Sequence, residues 1–328
     1  MEVEYPMPKR VAFLGRDTEN FFEQLFVDDG RGQIIPVPVE QADYVFYSNF
    51  VTDHHALGPD VIRIMITGEN ICPDFNACDY AISSEHLEYS DRHFRAPVYC
   101  LYGKTIGLEQ RSEFTEKDLL QKNEFCNFIY SNSNLAHPIR EDFFRTLDSK
   151  IPVISAGRFL QNDRSLSNQA NDLDWHSSKL KFQHRFRFTI AIENSESPGY
   201  ITEKLTDAFL ARTIPIYWGD PRVAEEFNPQ AFIDLRSYEN SSAAIDDIIN
   251  VNQNPERILE ILNAPVFNDG VNKINGFKAG AQAFLQAIFD QPLYEARRRP
   301  RHGNSQWLEQ RRRKDQTGFK KLLKRNRQ

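Results

Sequence analysis

Residues 186–219 read FRFTIAIENSESPGYITEKLTDAFLARTIPIYWG. Residues 186–194 and 213–219 are apolar and β-prone, and residues 201–211 between them carry apolar side chains at helical spacing. Strand, helix and strand in that order form a crossover unit, which implies a parallel sheet. Ligands of such sheets sit at the carboxyl ends of the strands. Glu193, Asn194, Tyr200, Glu203 and Lys204 crowd just past the first strand, around Pro198 and Gly199.

The alternation extends outward. Residues 10–16, 43–49, 60–68 and 79–84 read as strands, and residues 17–29 as a helix with Phe21, Phe22, Leu25 and Phe26 on one face. A polar stretch at 109–123 reads as a boundary or a crossing loop. The pattern then restarts with strands at 126–132 and 151–157, and a helix at 137–149 that admits Pro138 in its first turn. A polar loop at 161–171 leads into the 186–219 unit. A strand at 231–235 and helices at 243–251, 255–262 and 272–289 follow. Two such series predict an α/β protein of two Rossmann-like domains, residues 1–122 and 123–290, with a basic helical tail at 291–328.

Composition agrees. A chain of 328 residues, 40% hydrophobic and 12% aromatic, suffices for two domains with cores. The net charge of −6 conceals an asymmetry. Residues 297–328 hold thirteen Arg or Lys against two acids, a surplus of eleven positive charges, which leaves the body with seventeen negative charges in excess. The four cysteines, Cys72, Cys78, Cys100 and Cys126, form no Cys-x-x-Cys pair and have no His at zinc-finger spacing, so they read as reduced structural thiols. The opening residues MEVEYPMPKR have no apolar signal region, and no stretch has the length of a membrane span. A cytoplasmic protein is expected. The Asn-x-Ser sequon at Asn240 reads as chance.

Residues 193–204 admit two chemical accounts. A helix starting near Thr202 presents unpaired N–H groups and a positive dipole end, which attract phosphate. Lys204 adds a full charge, Glu203 suits ribose hydroxyls, and Asn194 and Tyr200 offer an amide and a phenol. That set fits a nucleoside diphosphate held by side chains; the glycine-rich nucleotide signatures are absent. By spacing alone, an ordinary capped helix with an adjacent charge pair accounts for the stretch equally well.

A longer stretch, ENSESPGYITEKLTDAFLARTIPIYWGDPRVAEEFNPQAFIDL at 193–235, resembles the hallmark of the α1,3-fucosyltransferases, glycosyltransferase family ten. The pattern E-N-S/T, Y-x-T-E-K, P-I-Y-W-G, F-N-P-x-S-F is matched except at Ala231, where Ser is usual. Residues 67–99, TGENICPDFNACDYAISSEHLEYSDRHFRAPVY, carry T-G-E-N and D-R-x-x-R-x-P; residues 131–144, SNSNLAHPIREDFF, carry S-N-x-x-x-x-P-I-R. The resemblance covers roughly residues 10–290. It implies a GT-B fold of two facing Rossmann-like domains, with the acceptor mainly on the first and GDP-fucose mainly on the second. It implies inverting transfer of L-fucose to the GlcNAc or glucose of a β-galactosyl-containing glycan, of the Lewis x type, such as a lipopolysaccharide O-antigen. It assigns Glu69, after the strand at 60–68 and facing the interdomain cleft, as general base. It assigns Arg140, Asn194, Tyr200, Glu203 and Lys204 to the donor, with Arg140 bidentate on the diphosphate and Lys204 beside it. Glu193 reads as holding the loop by hydrogen bonds. An α1,4- or dual-specificity fucosyltransferase and another GDP-sugar transferase stay open. So does a membrane- or nucleic-acid-binding protein with a degenerate GT-B body, against which the intact Glu69, Arg140, Glu203 and Lys204 argue.

No metal is assigned. Asp172-Leu173-Asp174 has the D-x-D form but sits in a polar segment, and Mg2+ or Mn2+ is expected to stimulate at most. Asp91, Arg92 and Arg95 either line the acceptor cleft or tie the first domain together. His86, His93 and His137 read as structural, and Tyr217–Trp218 as core. In the tail, Trp307, Leu308, Phe319, Leu322 and Leu323 interrupt the charge. Basic amphipathic helices of that kind suit an anionic membrane surface. Peripheral association with the inner face of the cytoplasmic membrane and a lipid-linked glycan acceptor are therefore expected. A solvated tail and RNA binding are the rivals, and no nucleic-acid partner is expected.

Overall fold

A computed structural model describes residues 8–27, 34–102, 107–108, 111–131, 133–166, 175–300, 302–304 and 306–314. The chain divides into two compact units: residues 1–102 with 274–328, and residues 103–273. Asp172-Leu173-Asp174 lies outside the described residues.

The first unit is built on strands β1 (Lys9–Leu14), β2 (Ile34–Pro36), β3 (Tyr44–Tyr47), β4 (Ile62–Ile66), β5 (Tyr80–Ser83) and β6 (His93–Arg95). They form one sheet in the order β2-β1-β3-β4-β5-β6, parallel throughout. Strands β3, β4 and β5 are buried along their whole length, as their unbroken apolar runs require in a sheet covered on both faces. The two edge strands escaped the sequence reading: each has three residues, and β2 contains Pro36, which only an edge tolerates. Helix α1 (Thr18–Leu25) buries Phe21, Phe22 and Leu25, and the short α2 (Val98–Leu101) is buried whole.

The second unit begins with α3 (Glu116–Leu119), β7 (Glu124–Phe128), α4 (Ile139–Asp148), β8 (Val153–Ser155) and α5 (Trp175–Gln183). It continues with β9 (Phe186–Ile192), α6 (Glu203–Leu210), β10 (Ile214–Trp218), β11 (Ile233–Asp234), α7 (Ser241–Asn252) and α8 (Pro255–Asn263). The sheet order is β11-β10-β9-β7-β8, again all parallel. Ile214 pairs with Phe188 and Trp218 with Ile192, so β9 and β10 end level. Gly157, after β8, lies flush against Tyr130: a Cβ there would meet the Tyr130 carbonyl oxygen at 2.1 Å. The Asn240 side chain caps α7 by accepting the Ala243 N–H, which gives that sequon residue a structural use.

The chain then returns. Helix α9 (Lys273–Phe289) and α10 (Leu293–Ala296) belong almost wholly to the first unit. Ala281, Leu285, Ile288 and Phe289 join the first core, with Phe289 edge-on to Phe26 and Tyr44 at ring distances of 5.4 and 5.0 Å. The units therefore divide near residues 102 and 273, where the sequence reading set 122 and 290. An apolar stripe on a helix shows that it packs, not on which sheet. At the other boundary, Phe114 and Leu119 enter the second core, and the Asn263 amide bonds both the N–H and the carbonyl of Phe114.

The basic run is drawn into the first unit as well. Arg299 is 2% exposed and Asp79 is fully buried. Arg299 Nε donates to Asp79 Oδ2 at 2.8 Å, Nη1 to Glu309 Oε1 at 3.2 Å and Nη2 to the Val61 carbonyl at 2.6 Å. Asp79 also accepts the N–H groups of Arg63, Arg298 and Arg299. Residues 306–314 are helical and bring Glu309 to the fully buried Arg63 at 2.7 Å. Arg313 pairs with Glu309, Arg312 with Asp74, and Arg298 with Asp91. Part of the basic amphipathic tail is thus charge-paired structure; Trp307, 56% exposed under the Arg311 guanidinium, is not. Among the described residues no helix is long and apolar enough to cross a membrane.

Candidate active site

In the second unit the chemistry gathers where β7 and β9 end. One residue past β9, Glu193 is fully buried. Its Oε1 accepts the Thr202 N–H at 2.8 Å and hydroxyl at 2.9 Å, and its Oε2 accepts the Lys204 ammonium at 3.1 Å. Thr202 is the N-cap of α6, so Glu193 fixes the start of that helix. Gly219, at the end of β10, makes room: a Cβ there would lie 2.6 Å from Glu193 Cγ. Lys204 keeps 18% of its side chain exposed, and Glu203, 31% exposed, approaches the same ammonium at 3.9 Å.

Arg140 stands in the first turn of α4 and is 3% exposed. Its Nε and Nη2 donate to the Ile192 carbonyl at 3.2 and 2.9 Å, and Nη2 also reaches Asn194 Oδ1 at 2.7 Å. Its guanidinium lies 4.3 Å from the centre of the Tyr130 ring. The Tyr130 hydroxyl in turn bonds the backbone of Ile190 and Ile192. The edge formed by Nε and Nη2 thus holds the end of β9. Only Nη1 makes no hydrogen bond among the described residues. Tyr200, expected at the donor, is 2% exposed.

The electrostatics of the cluster follow from burial. Desolvation alone would push the Lys204 ammonium down, but Glu193, Glu203, Tyr200 and Tyr130 more than offset it, so Lys204 stays charged. Burial, helped by the nearby Glu203, holds the Glu193 carboxyl above the usual carboxylate range, and Lys204 offsets this only in part. Further along α6, burial raises the Asp207 carboxyl, and Lys179 and His176, both 2.7 Å away, overcome this and hold it below the usual range. The helix carrying Lys204 is thus held at its start and again at its middle.

Glu69 is in the first unit, three residues beyond β4 and half-buried. Its N–H donates to Thr67 Oγ1 at 3.1 Å, and Thr67 donates to Asn49 Oδ1 at 2.6 Å, which ties the turn to the end of β3. Arg92 ties this unit together: it is 8% exposed and donates to the carbonyls of Asp79, Phe75 and Cys78. Arg95 bonds the Ser84 carbonyl. His93 bridges Ser83 and Leu87, His137 packs on Trp218 at 4.8 Å, and Tyr217 and Trp218 are buried. The four cysteines are unpaired thiols. Among the described residues no group of three or more His, Cys, Asp or Glu could hold a metal.

Two family profiles match this chain. Residues 20–102 match the N-terminal domain of α-(1,3)-fucosyltransferase FucT, and residues 119–263 the C-terminal domain of glycosyltransferase family 10 (fucosyltransferase). This chain belongs to glycosyltransferase family 10. Within the family it is 30% identical over 273 residues to the α-(1,3)-fucosyltransferase FucT of Helicobacter pylori, covering 73% of this chain and 54% of that protein. The chain thus spans about half the length of that relative. It also resembles a solved α1,3-fucosyltransferase with a TM-score of 0.69 and 27% identity, covering 90% of this chain and 93% of the other. For an α1,3-fucosyltransferase solved with GDP-fucose the values are 0.65, 25%, 89% and 93%. The two α/β sheets are accordingly those of a GT-B fold.

Seen as a family 10 site, the cluster contains two residues that sequence reading passed over. Tyr130 lay inside a predicted strand, yet it is the platform for Arg140 and the clamp on β9. Thr202 marked only a helix start, yet it carries three of the bonds to Glu193. The T-E-K run was the available signal: a Thr before two ionic residues is an N-cap, and its hydroxyl needs a partner.

Proposed function

We propose that this chain transfers L-fucose from GDP-fucose to a sugar hydroxyl, forming an α1,3 linkage with inversion at the anomeric carbon. The observation that carries this reading is the likeness, over about nine-tenths of both chains, to an α1,3-fucosyltransferase solved with GDP-fucose. As the anomeric C–O bond breaks, negative charge gathers on the departing diphosphate. Lys204, still charged, Arg140 Nη1 and the amino end of α6 are the groups to meet it. Glu203, partly exposed beside Lys204, accepts from ribose hydroxyls, and Asn194, oriented by Arg140, offers its amide. Glu193, Tyr130 and Tyr200 hold these groups in place without touching the donor. Glu69 takes the proton from the attacking hydroxyl.

The acceptor in this reading is the GlcNAc or glucose of a β-galactosyl-containing, lipid-linked glycan, giving a Lewis x-type product on a structure such as lipopolysaccharide. No metal is required. The protein works in the cytoplasm at the inner face of the membrane, which it reaches through exposed Trp307 and the basic residues near it. Incubation with GDP-fucose and lactose, N-acetyllactosamine or its β1,3-linked isomer, followed by NMR of the product, tests donor, acceptor and linkage together. An α1,4 product or no transfer overturns the reading. Glu69→Gln is expected to keep donor affinity and lose about 10²–10⁴-fold in turnover. For the membrane, Trp307→Ser combined with Arg311→Gln should bind anionic vesicles less well than the parent chain; equal binding removes that part.

A further inference from the structure

The second unit holds a pair of arginines that the transfer reaction does not use. Helix α6 ends in a Schellman motif: the Arg212 N–H bonds the Phe209 carbonyl and the Thr213 N–H bonds the Ala208 carbonyl, both at 3.0 Å. Arg212 occupies the position of that motif that glycine normally fills, with φ of 54°. An arginine there accepts left-handed backbone, so its side chain needs a reason. Its guanidinium lies over the Phe114 ring at 5.1 Å, and Nη2 is buried without a hydrogen-bond partner among the described residues.

Arg111 lines the same cavity of about 520 Å³, with its guanidinium 5.9 Å from the Phe209 ring and one nitrogen on the Ala264 carbonyl at 2.7 Å. Leu262, Val266 and Phe267 supply apolar walls. Burial and the neighbouring Arg212 push the Arg111 guanidinium down to about 10, and burial lowers Arg212 as well. Both remain charged at neutral pH and repel each other. Asp118 attracts Arg212 without forming an ion pair among the described residues, and Glu113 stands at the cavity wall. Two partly desolvated guanidinium groups that line one cavity, neither in an ion pair among the described residues, are a receptor for an oxyanion, and two planar forks match phosphate best.

We propose that Arg111 and Arg212 form a second anion site, for a phosphate ester or diphosphate. The site is separate from the Lys204 cluster. Arg212 precedes β10, and Glu193 pairs with Trp218 at the other end of that strand, about 20 Å away at strand rise.

Arg212→Gly gives a clean test, because glycine is the residue the helix end prefers. Pyrophosphate binding to the full chain, followed by titration calorimetry at constant ionic strength, should weaken about tenfold or more in Arg212→Gly and in Arg111→Gln. The unliganded melting temperature of Arg212→Gly should stay level or rise. Unchanged affinity, or a marked drop in that melting temperature, would mean that Arg212 is only packing and would overturn the site. A wild-type crystal soaked in tungstate should show its anomalous peak between the two guanidinium groups; peaks only elsewhere overturn the site without any variant. Phosphatidylcholine vesicles doped with phosphatidate separate the sources. Capture lost with the same variants assigns the phosphate to a lipid headgroup. Capture unaffected, with pyrophosphate binding lost, assigns it to a soluble ester.

Discussion

Lys204 and Arg299 are both basic residues held against buried carboxylates, but their surroundings differ. Arg299 spends its donors on Asp79, Glu309 and backbone carbonyls, inside a network that Arg63 completes. Nothing of it is left for a ligand. Lys204 meets a buried partner, Glu193, and a partly exposed one, Glu203, and keeps part of its own surface open. A buried cation thus becomes a site only when its anchoring partner does not exhaust it. The same division recurs in Arg140, where one edge holds β9 and one nitrogen remains.

The comparison breaks most sharply by removing residues 297–328. Asp79 and Arg63 would then be buried without countercharges, and stripping one partner from a buried pair costs about 3–5 kcal/mol. Unfolding of the first unit on truncation is expected, read by loss of protease resistance in residues 34–102; a truncated chain that melts normally would make the network ornamental. Glu193→Gln comes next. It should destabilise by about 3 kcal/mol, the low end of the buried-pair range because Glu203 remains near, and GDP should raise its melting temperature more than that of the parent. Equal GDP shifts would deny that the diphosphate shares the countercharge role.

A third, smaller effect concerns pH. His54, buried against Tyr47 at a ring distance of 3.8 Å, has its imidazole pushed down to about 3, first by burial and then by His55 and Arg63. The folded chain therefore stays neutral there while the unfolded chain takes up a proton near 6.5. Stability should fall as pH drops below that value, by up to about 1.4 kcal/mol per pH unit, and His54→Gln should flatten the slope in urea titrations. Last, Glu203→Gln should change stability by less than about 1 kcal/mol, since its contact is long and partly exposed. Donor affinity should nevertheless weaken. A variant with the reverse pattern would place Glu203 with Glu193 among the anchors.

The crossover units were legible because apolar runs of period-breaking length alternate with helical stripes; β9, α6 and β10 lie within two residues of their expected positions. The identities of the ionic residues were legible from their motifs, and Glu193 as a loop holder followed from chemistry. What stayed hidden was partnership over distance. Nothing local to RRRPR states that Asp79 accepts Arg299, and nothing in TEK states that Arg140 spends its better edge on Ile192. Nor does the stripe of α9 name its sheet. The short edge strands β2 and β6 and the weakly amphipathic α5 fall below what periodicity can detect.

The buried ion network of the first unit is completed by residues that come some 220 positions after the aspartate they neutralise. On a translating ribosome, Asp79 emerges well before Arg299 exists, an interval of about 10–45 s at ordinary elongation rates. The intervening residues 103–273 hold their own core and can finish first. The part of the chain that is synthesised earliest is therefore the part that matures last, and a stalled or prematurely terminated message would release a chain whose opening domain is still soft.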